Sequence, residues 1–238
     1  MVRQGGVRER VREALPLDLN DPGQAEVARR MEAHRRGHGA GERFEATGLD
    51  LSGRLLDELY LHQAYLTGCS FDGASMRGAD LSSANIGTCS FRGAQLREAV
   101  FAKAFVYACD FREADLAESN LIKLSCAECD FRQAQLRAGQ MIRFRGSSCD
   151  FRGADLREAK FLETTFTSSL MAGANLAGAS GTLLRRDHAI NVGTDQEARL
   201  LRDDELLEWF RAAGADVEWF VPPGAVTRDP DTGQEAQE

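Results

Sequence analysis

The chain has 238 residues, with 29 Lys and Arg against 37 Asp and Glu, a formal charge of −8. No run approaches the roughly eighteen apolar residues of a membrane helix, and the opening Met-Val-Arg-Gln-Gly-Gly lacks the apolar stretch of a secretory leader. The expectation is a cytoplasmic protein with no membrane segment. Acidity is concentrated late: residues 1–44 hold 9 basic and 7 acidic side chains, 45–180 hold 14 and 17, and 181–238 hold 6 and 13. That balance argues against direct nucleic-acid binding.

In chain order, residues 1–44 read as a flexible N-terminal segment followed by a capping helix. Asp21 caps that helix with Pro22 at its first position. It runs to about Arg36, with Val27 and Met31 on one face, and ends in the glycine-rich stretch Gly37–Gly41.

From Leu51 to Leu176, every fifth residue gives 26 positions, and all but Cys126 and Gly146 carry Leu, Phe, Met, Ile or Val. Those five types make up 58 of the 238 residues, so chance places about six there. Two residues before each centre the side chain is Ala, Cys, Ser, Thr or Gly in 21 of 26 cases. A helix would turn successive centres away from one another and a strand would alternate them between faces. A short extended piece holding the small and large residues on one face, followed by a three-residue turn, satisfies the spacing. Four such sides close a square coil of twenty residues.

The period of twenty is visible independently. Phe71, Phe91, Phe111, Phe131 and Phe151 are each preceded two residues earlier by Cys69, Cys89, Cys109, Cys129 and Cys149. Stacked coils place such residues over one another at ~4.8 Å. The two columns form a structural core, with Cys acting as a small hydrophobe.

These units resemble the pentapeptide-repeat family, whose unit is a small residue, Asp or Asn, Leu or Phe, and two variable residues. The resemblance covers about residues 45–180 and implies an all-β solenoid, a right-handed quadrilateral parallel β-helix, with short α-helical terminal segments. Just under seven coils give a rod of roughly 33 Å. Leu124 with Cys126, and Phe144 with Gly146, exchange the large and small positions while conserving volume. Phe44 with Ala46 repeats that exchange at the N-terminal end. No insertion interrupts the units, so no loop is expected to project.

After residue 180 the pattern changes. Residues 181–221 read as a helical cap or dimerisation segment, and 222–238 as a disordered acidic tail. Thr194-Asp195-Gln196-Glu197 reads as a capping box opening one helix. Asp203 reads as the cap of a second, whose apolar stripe is Leu206, Leu207, Phe210 and Ala213. Val217, Trp219 and Val221 alternate as in a short strand. The resemblance implies that such C-terminal helices mediate dimerisation. Leu206, Leu207, Trp209, Phe210 and Trp219 therefore serve either a homodimer interface or a cap on the rod.

Catalytic templates are missing. Four scattered His residues, no phosphate-binding glycine loop and no G-x-S-x-G leave nothing to assign as catalytic or cofactor-binding. Cys126-x-x-Cys129 has no second ligand pair for zinc. Parallel stacked thiols at coil spacing miss disulfide geometry, so reduced buried Cys is the reading. The protein is read as non-catalytic, with no cofactor and no metal.

Unrolling the square separates its sides. One carries Arg92, Arg112, Arg132 and Arg152, and the next carries Arg77, Arg97, Arg137 and Arg157, with Asp and Glu close by. The third carries the outward column Ala102, Ile122, Ile142 and Leu162, and the fourth carries Phe105 and Tyr107. An outward apolar column marks a contact, with a partner protein or with one of the chain's own ends. The resemblance implies, most specifically, binding to DNA gyrase as a mimic of duplex DNA and protection from its poisons. Eight regular arginines and the balanced rod charge weigh against that mimicry. The alternative is a protein-interaction scaffold unrelated to topoisomerases.

Overall fold

The computed structural model describes residues 43–184, 189–193 and 197–221. The N-terminal helix expected at 21–36 and the tail 222–238 lie outside the described residues.

One side of each coil is a three-residue strand: β1 Glu45–Thr47, β2 Tyr65–Thr67, β3 Asn85–Gly87, β4 Phe105–Tyr107, β5 Ser125–Ala127 and β7 Arg145–Ser147. These pair in parallel with a register of twenty, as in Glu45↔Tyr65, Asn85↔Phe105 and Ser125↔Arg145. The other three sides are joined by single bridges with the same offset, such as Asp50↔Ser70, Ser75↔Gln95 and Tyr60↔Asp80. A parallel β-solenoid of about seven turns results. Near its end β6 (Gln140–Ile142) pairs with the longer β8 (Lys160–Thr167), which bends through a corner and pairs in turn with β9 (Ser180–Leu184).

The interior explains the period. Phe71, Phe91, Phe111, Phe131 and Phe151 form one stack, with neighbouring centroids 4.8–4.9 Å apart and planes within 6°. Leu124, Cys126, Phe144 and Gly146 are all buried, and Cys126 pairs with Gly146 in the ladder. A Cβ on Gly146 would sit 3.0 Å from Phe144 Cε1, so the ring occupies the space that a centre side chain would fill. Large and small have exchanged places at constant volume.

Backbone accounting explains the Asp and Asn before each centre. Within a coil, the centre's N–H bonds to the next coil, as Leu51 N does to Ser70 O at 2.7 Å. The N–H just after the centre is instead taken by the Asp or Asn side chain two residues back, a local turn that satisfies a donor the ladder leaves over. Ser52, Ser82, Arg112, Ala117, Ile122, Arg132, Arg152 and Arg157 all donate this way, at 2.9–3.1 Å. Where Ser stands in that place, the previous coil supplies the carboxylate: Asp57 accepts from Arg77 N at 2.9 Å, and Asp72 from Arg92 N at 3.0 Å. These acids are part of the coil. The next residue turns the corner with positive φ, whether it is Gly93 (φ 62°) or the β-branched Thr88 (φ 51°).

The C-terminal segment closes the rod. Asn191 pairs with Leu170, so the strand β10 (Ile190–Asn191) lies on the last coil and is covered by antiparallel β11 (Leu200–Leu201). The helix α1 spans Asp203–Ala212, and β12 (Asp216–Phe220) returns to pair in parallel with β9. Two expectations are corrected. No helix runs through Glu197–Leu201, whose last two residues pair as β11 with β10, and Thr194–Gln196 of the expected capping box lie outside the described residues. The N-cap of α1 is Arg202, without a side-chain cap, and Asp203 is the first residue of the helix, with φ 45°. Gly214 (φ 88°) ends the helix, and Ala215 N bonds back to Phe210 O at 3.0 Å, the geometry of a glycine-terminated helix.

Candidate functional site

Two sides of the rod carry self-satisfied charge ladders. On the first, Arg112 Nε bonds both oxygens of Asp110 at 2.9 and 3.0 Å and lies 3.6 Å from Asp130; Arg132 repeats this with Asp130 and Asp150. Arg112, Glu113, Arg132, Gln133, Arg152 and Gly153 line an open groove on this side. Burial alone would raise the Asp110 carboxyl, but the bonds from Arg112 hold it below the usual carboxylate range. The Arg157 guanidinium does the same for Asp155. On the second side, Arg77 pairs with Glu98, Arg97 with Glu118, and Arg137 with Glu158. These pairs join neighbouring coils, and being exposed each contributes only tenths of a kcal/mol, roughly 0.2–1.

The third and fourth sides differ in kind. Ile122 and Ile142 are half-buried and Leu162 is 42% exposed; Phe105 is 62% and Tyr107 51% exposed. A third column, which sequence reasoning missed, runs along the corner between these sides: Lys103, Lys123 and Arg143, all exposed. The backbone knits it to the apolar column, since Lys103 N donates to Ile122 O, Lys123 N to Ile142 O and Arg143 N to Leu162 O, at 2.6–2.9 Å. Arg145 stands on the fourth side in the column of Phe105 and Ser125. The period-twenty reading that exposed the arginine columns would equally have found Lys103, Lys123 and Arg143. Tyr107 Oη donates to Glu128 at 3.1 Å, and that bond with the carboxylate's charge raises the phenol above its ordinary range.

Sequence-predicted residues thus fall in three places. Ile122, Ile142 and Leu162 lie on the third side and Phe105 and Tyr107 on the adjoining fourth, with Lys103, Lys123 and Arg143 on the corner between them. The described C-terminal residues do not cover this strip of two adjoining sides; they sit on the end of the rod. Leu206, Leu207 and Phe210 are buried there within their own chain, with Phe210 6.3 Å from both Phe161 and Phe166. Trp209 and Trp219 pack partly buried against the same cluster. Cys69, Cys89, Cys109, Cys129 and Cys149 are buried and unbridged, as is Cys126, whose sulfur lies 3.7 Å from that of Cys149. Burial pushes the Cys126 thiol well above its ordinary pKa, so it stays protonated and unreactive.

A solenoid of square coils with a period of five residues per side and flat, loop-free walls defines the class. The model of pentapeptide repeats matches in eight copies, over residues 47–85, 60–96, 79–112, 89–123, 109–143 and 149–180. The chain belongs to the pentapeptide-repeat family. Among solved structures it is similar to HetL, a pentapeptide repeat protein involved in heterocyst differentiation regulation from the cyanobacterium Nostoc sp. strain PCC 7120. The identity is 20%, over 81% of this chain and 97% of that one, with a TM-score of 0.47. It is also similar to a trypsin-treated form of QnrB1, a plasmid-mediated fluoroquinolone resistance protein, at 14% identity over 74% and 90% of the two chains and a TM-score of 0.40. No curated protein matches the chain.

Proposed function

We propose that this chain is a non-catalytic, protein-binding rod of a reducing, cytoplasmic compartment, with its contact surface on the strip of the third and fourth sides. The observation that carries this reading is the coexistence of Phe105, Tyr107 and Leu162, each more than two-fifths exposed, on the two adjoining sides that lack the arginine–carboxylate ladders. Exposed apolar groups gathered on one face of a soluble protein mark a binding surface. The ladders on the other two sides are satisfied within the molecule and leave less to offer a partner. Six free buried thiols suit the reducing compartment.

The test is affinity capture with the full chain, compared with Ile122→Asp and Phe105→Ser. Asp57 and Asp72 occupy the unit position of Ile122 on other sides, so Ile122→Asp suits the coil. Loss of the captured protein with an unchanged far-ultraviolet spectrum supports the reading; retention by both variants overturns it.

The finer reading, a duplex mimic that binds DNA gyrase and protects it from poisons, draws on the net charge of −8. Mimicry of a duplex needs dense unpaired negative charge. Here arginine neutralises the acids of two sides, and the third and fourth carry a basic corner, so the protein-binding strip is the better-supported reading. A gyrase supercoiling assay with and without a quinolone decides the finer point: protection at micromolar protein establishes it, and no effect removes it.

A further inference from the structure

We propose that the strip on the third and fourth sides docks an acidic amphipathic helix of a partner protein. This rests on the protein-binding reading above and names the kind of partner. Three observations lead to it.

Charge comes first. Lys103, Lys123, Arg143, Arg145 and Lys160 are exposed around the apolar column. The acids that face them are engaged: Glu163 is bonded by Arg143 Nε at 2.8 Å, and Glu128 accepts from Tyr107. Lys103, Lys123 and Arg145 make no ion pair among the described residues, whereas the arginines of the first and second sides do. A chain of charge −8 therefore presents one locally positive wall, which complements carboxylates and steers them.

Spacing comes second. The column Ala102, Ile122, Ile142, Leu162 runs along the rod axis with one side chain per coil, at the 4.8–4.9 Å repeat of the Phe stack. A helix laid along it advances ~5.4 Å per turn, so across three steps it drifts by only about 2 Å. An extended strand repeats its face every ~6.8 Å and drifts by about 6 Å, more than a whole coil. The apolar stripe of a helix can thus track the column, while carboxylates on its flank, one turn apart, meet Lys103, Lys123 and Arg143.

The third observation selects against a nucleic acid. The column itself is aliphatic, and the exposed Phe105 and Tyr107 lie on a single coil and give successive bases no stacking track along the rod; the rest of the molecule repels a polyanion. Phe105 stands next to the basic corner and Tyr107 at the far edge of the same side, both rigid anchors of the kind that dominate protein interfaces.

The probe is a labelled synthetic helix of about twenty residues, ~30 Å long, with a Leu stripe flanked by Glu. Its counterparts carry Lys for Glu, or are a short DNA duplex. Fluorescence anisotropy on the full chain is expected to show binding of the Leu/Glu helix alone, weakened several-fold by raised salt. Lys103→Glu with Lys123→Glu, and separately Ile122→Asp with Ile142→Asp, are expected to weaken it by tenfold or more, and Gln133→Glu on the first side to leave it unchanged. Equal or tighter binding of the Leu/Lys helix or the duplex to the unmodified protein overturns the proposal, as does indifference to the Lys reversals. Capture of a partner that needs Ile122, with no binding of the Leu/Glu helix, overturns the helix proposal while the protein-binding rod stands.

Discussion

The Asp110 carboxylate caps the Arg112 N–H at 3.0 Å and also grips the Arg112 guanidinium, so its removal touches a backbone donor and an ion pair together. Asp110→Ala is expected to destabilise by about 1 kcal/mol or somewhat more, the usual worth of such a hydrogen bond. Asp110→Asn keeps the cap and is expected to lose only a few tenths, since the pair is partly exposed; urea titration of the three proteins checks the order. Asp110 and Asp155 are held below the ordinary carboxylate range when folded, so the unfolded chain takes up their protons first as pH falls. Their contribution is complete above about pH 4 and is lost below it. Thermal midpoints are expected to stay level on this account from neutrality to that point and then fall, with a shallower acid limb in the Asp110→Asn, Asp155→Asn protein. Ser119 runs the other way. It is fully buried in the small column between Ala99 and Gly139, and its hydroxyl has no hydrogen-bond partner among the described residues. Ser119→Ala is expected to stabilise by about 1 kcal/mol, because an unmet buried hydroxyl is removed without loss of volume.

At the scale of elements, the cap is the part on which the rod most depends. An open solenoid end exposes apolar core and unpaired backbone. Here α1 buries Leu206, Leu207 and Phe210 over that end, and β12 covers the edge of β9. Phe210→Ala is expected to cost about 3–5 kcal/mol and to raise the aggregation rate in light scattering. A stable monomeric variant would show that the cap is dispensable. The repeat was legible in the sequence because each coil imposes the same environment twenty residues later, so Phe71 to Phe151 announce one column. The exchanges at Leu124 and Phe144 were equally readable as conserved volume. The cap was less so. Thr194–Glu197 has the letters of a helix start, yet the following chain is drawn into a pairing with Ile190–Asn191 that no local pattern encodes. Arg202, directly after β11 and in an extended conformation (φ −137°, ψ 160°), is the N-cap. The strip was half legible: Ile122, Ile142 and Leu162 stood out as apolar outliers, whereas Lys103, Lys123 and Arg143, which follow that column directly at the same period of twenty, were passed over.

For the whole molecule, everything follows from coils that repeat in twenty residues and stack in register, giving four walls of distinct chemistry. Two walls are closed by their own arginine and carboxylate ladders, and two expose an apolar strip with a basic corner. Because each coil contacts chiefly its neighbours, the rod tolerates changes in coil number but not in phase. Deletion of residues 112–131 removes one full turn and rejoins Phe111 to Arg132, leaving every column intact. Deletion of residues 112–116 removes one side of the square and moves Phe131 and Phe151 out of the column of Phe71, Phe91 and Phe111. Thermal unfolding of these two proteins beside the full chain is the most direct measurement. The account predicts that the twenty-residue deletion folds with one cooperative transition close to the parent's, and that the five-residue deletion unfolds or loses cooperativity. Equal stability of the two deletions, or a folded five-residue deletion beside an unfolded twenty-residue one, would contradict it.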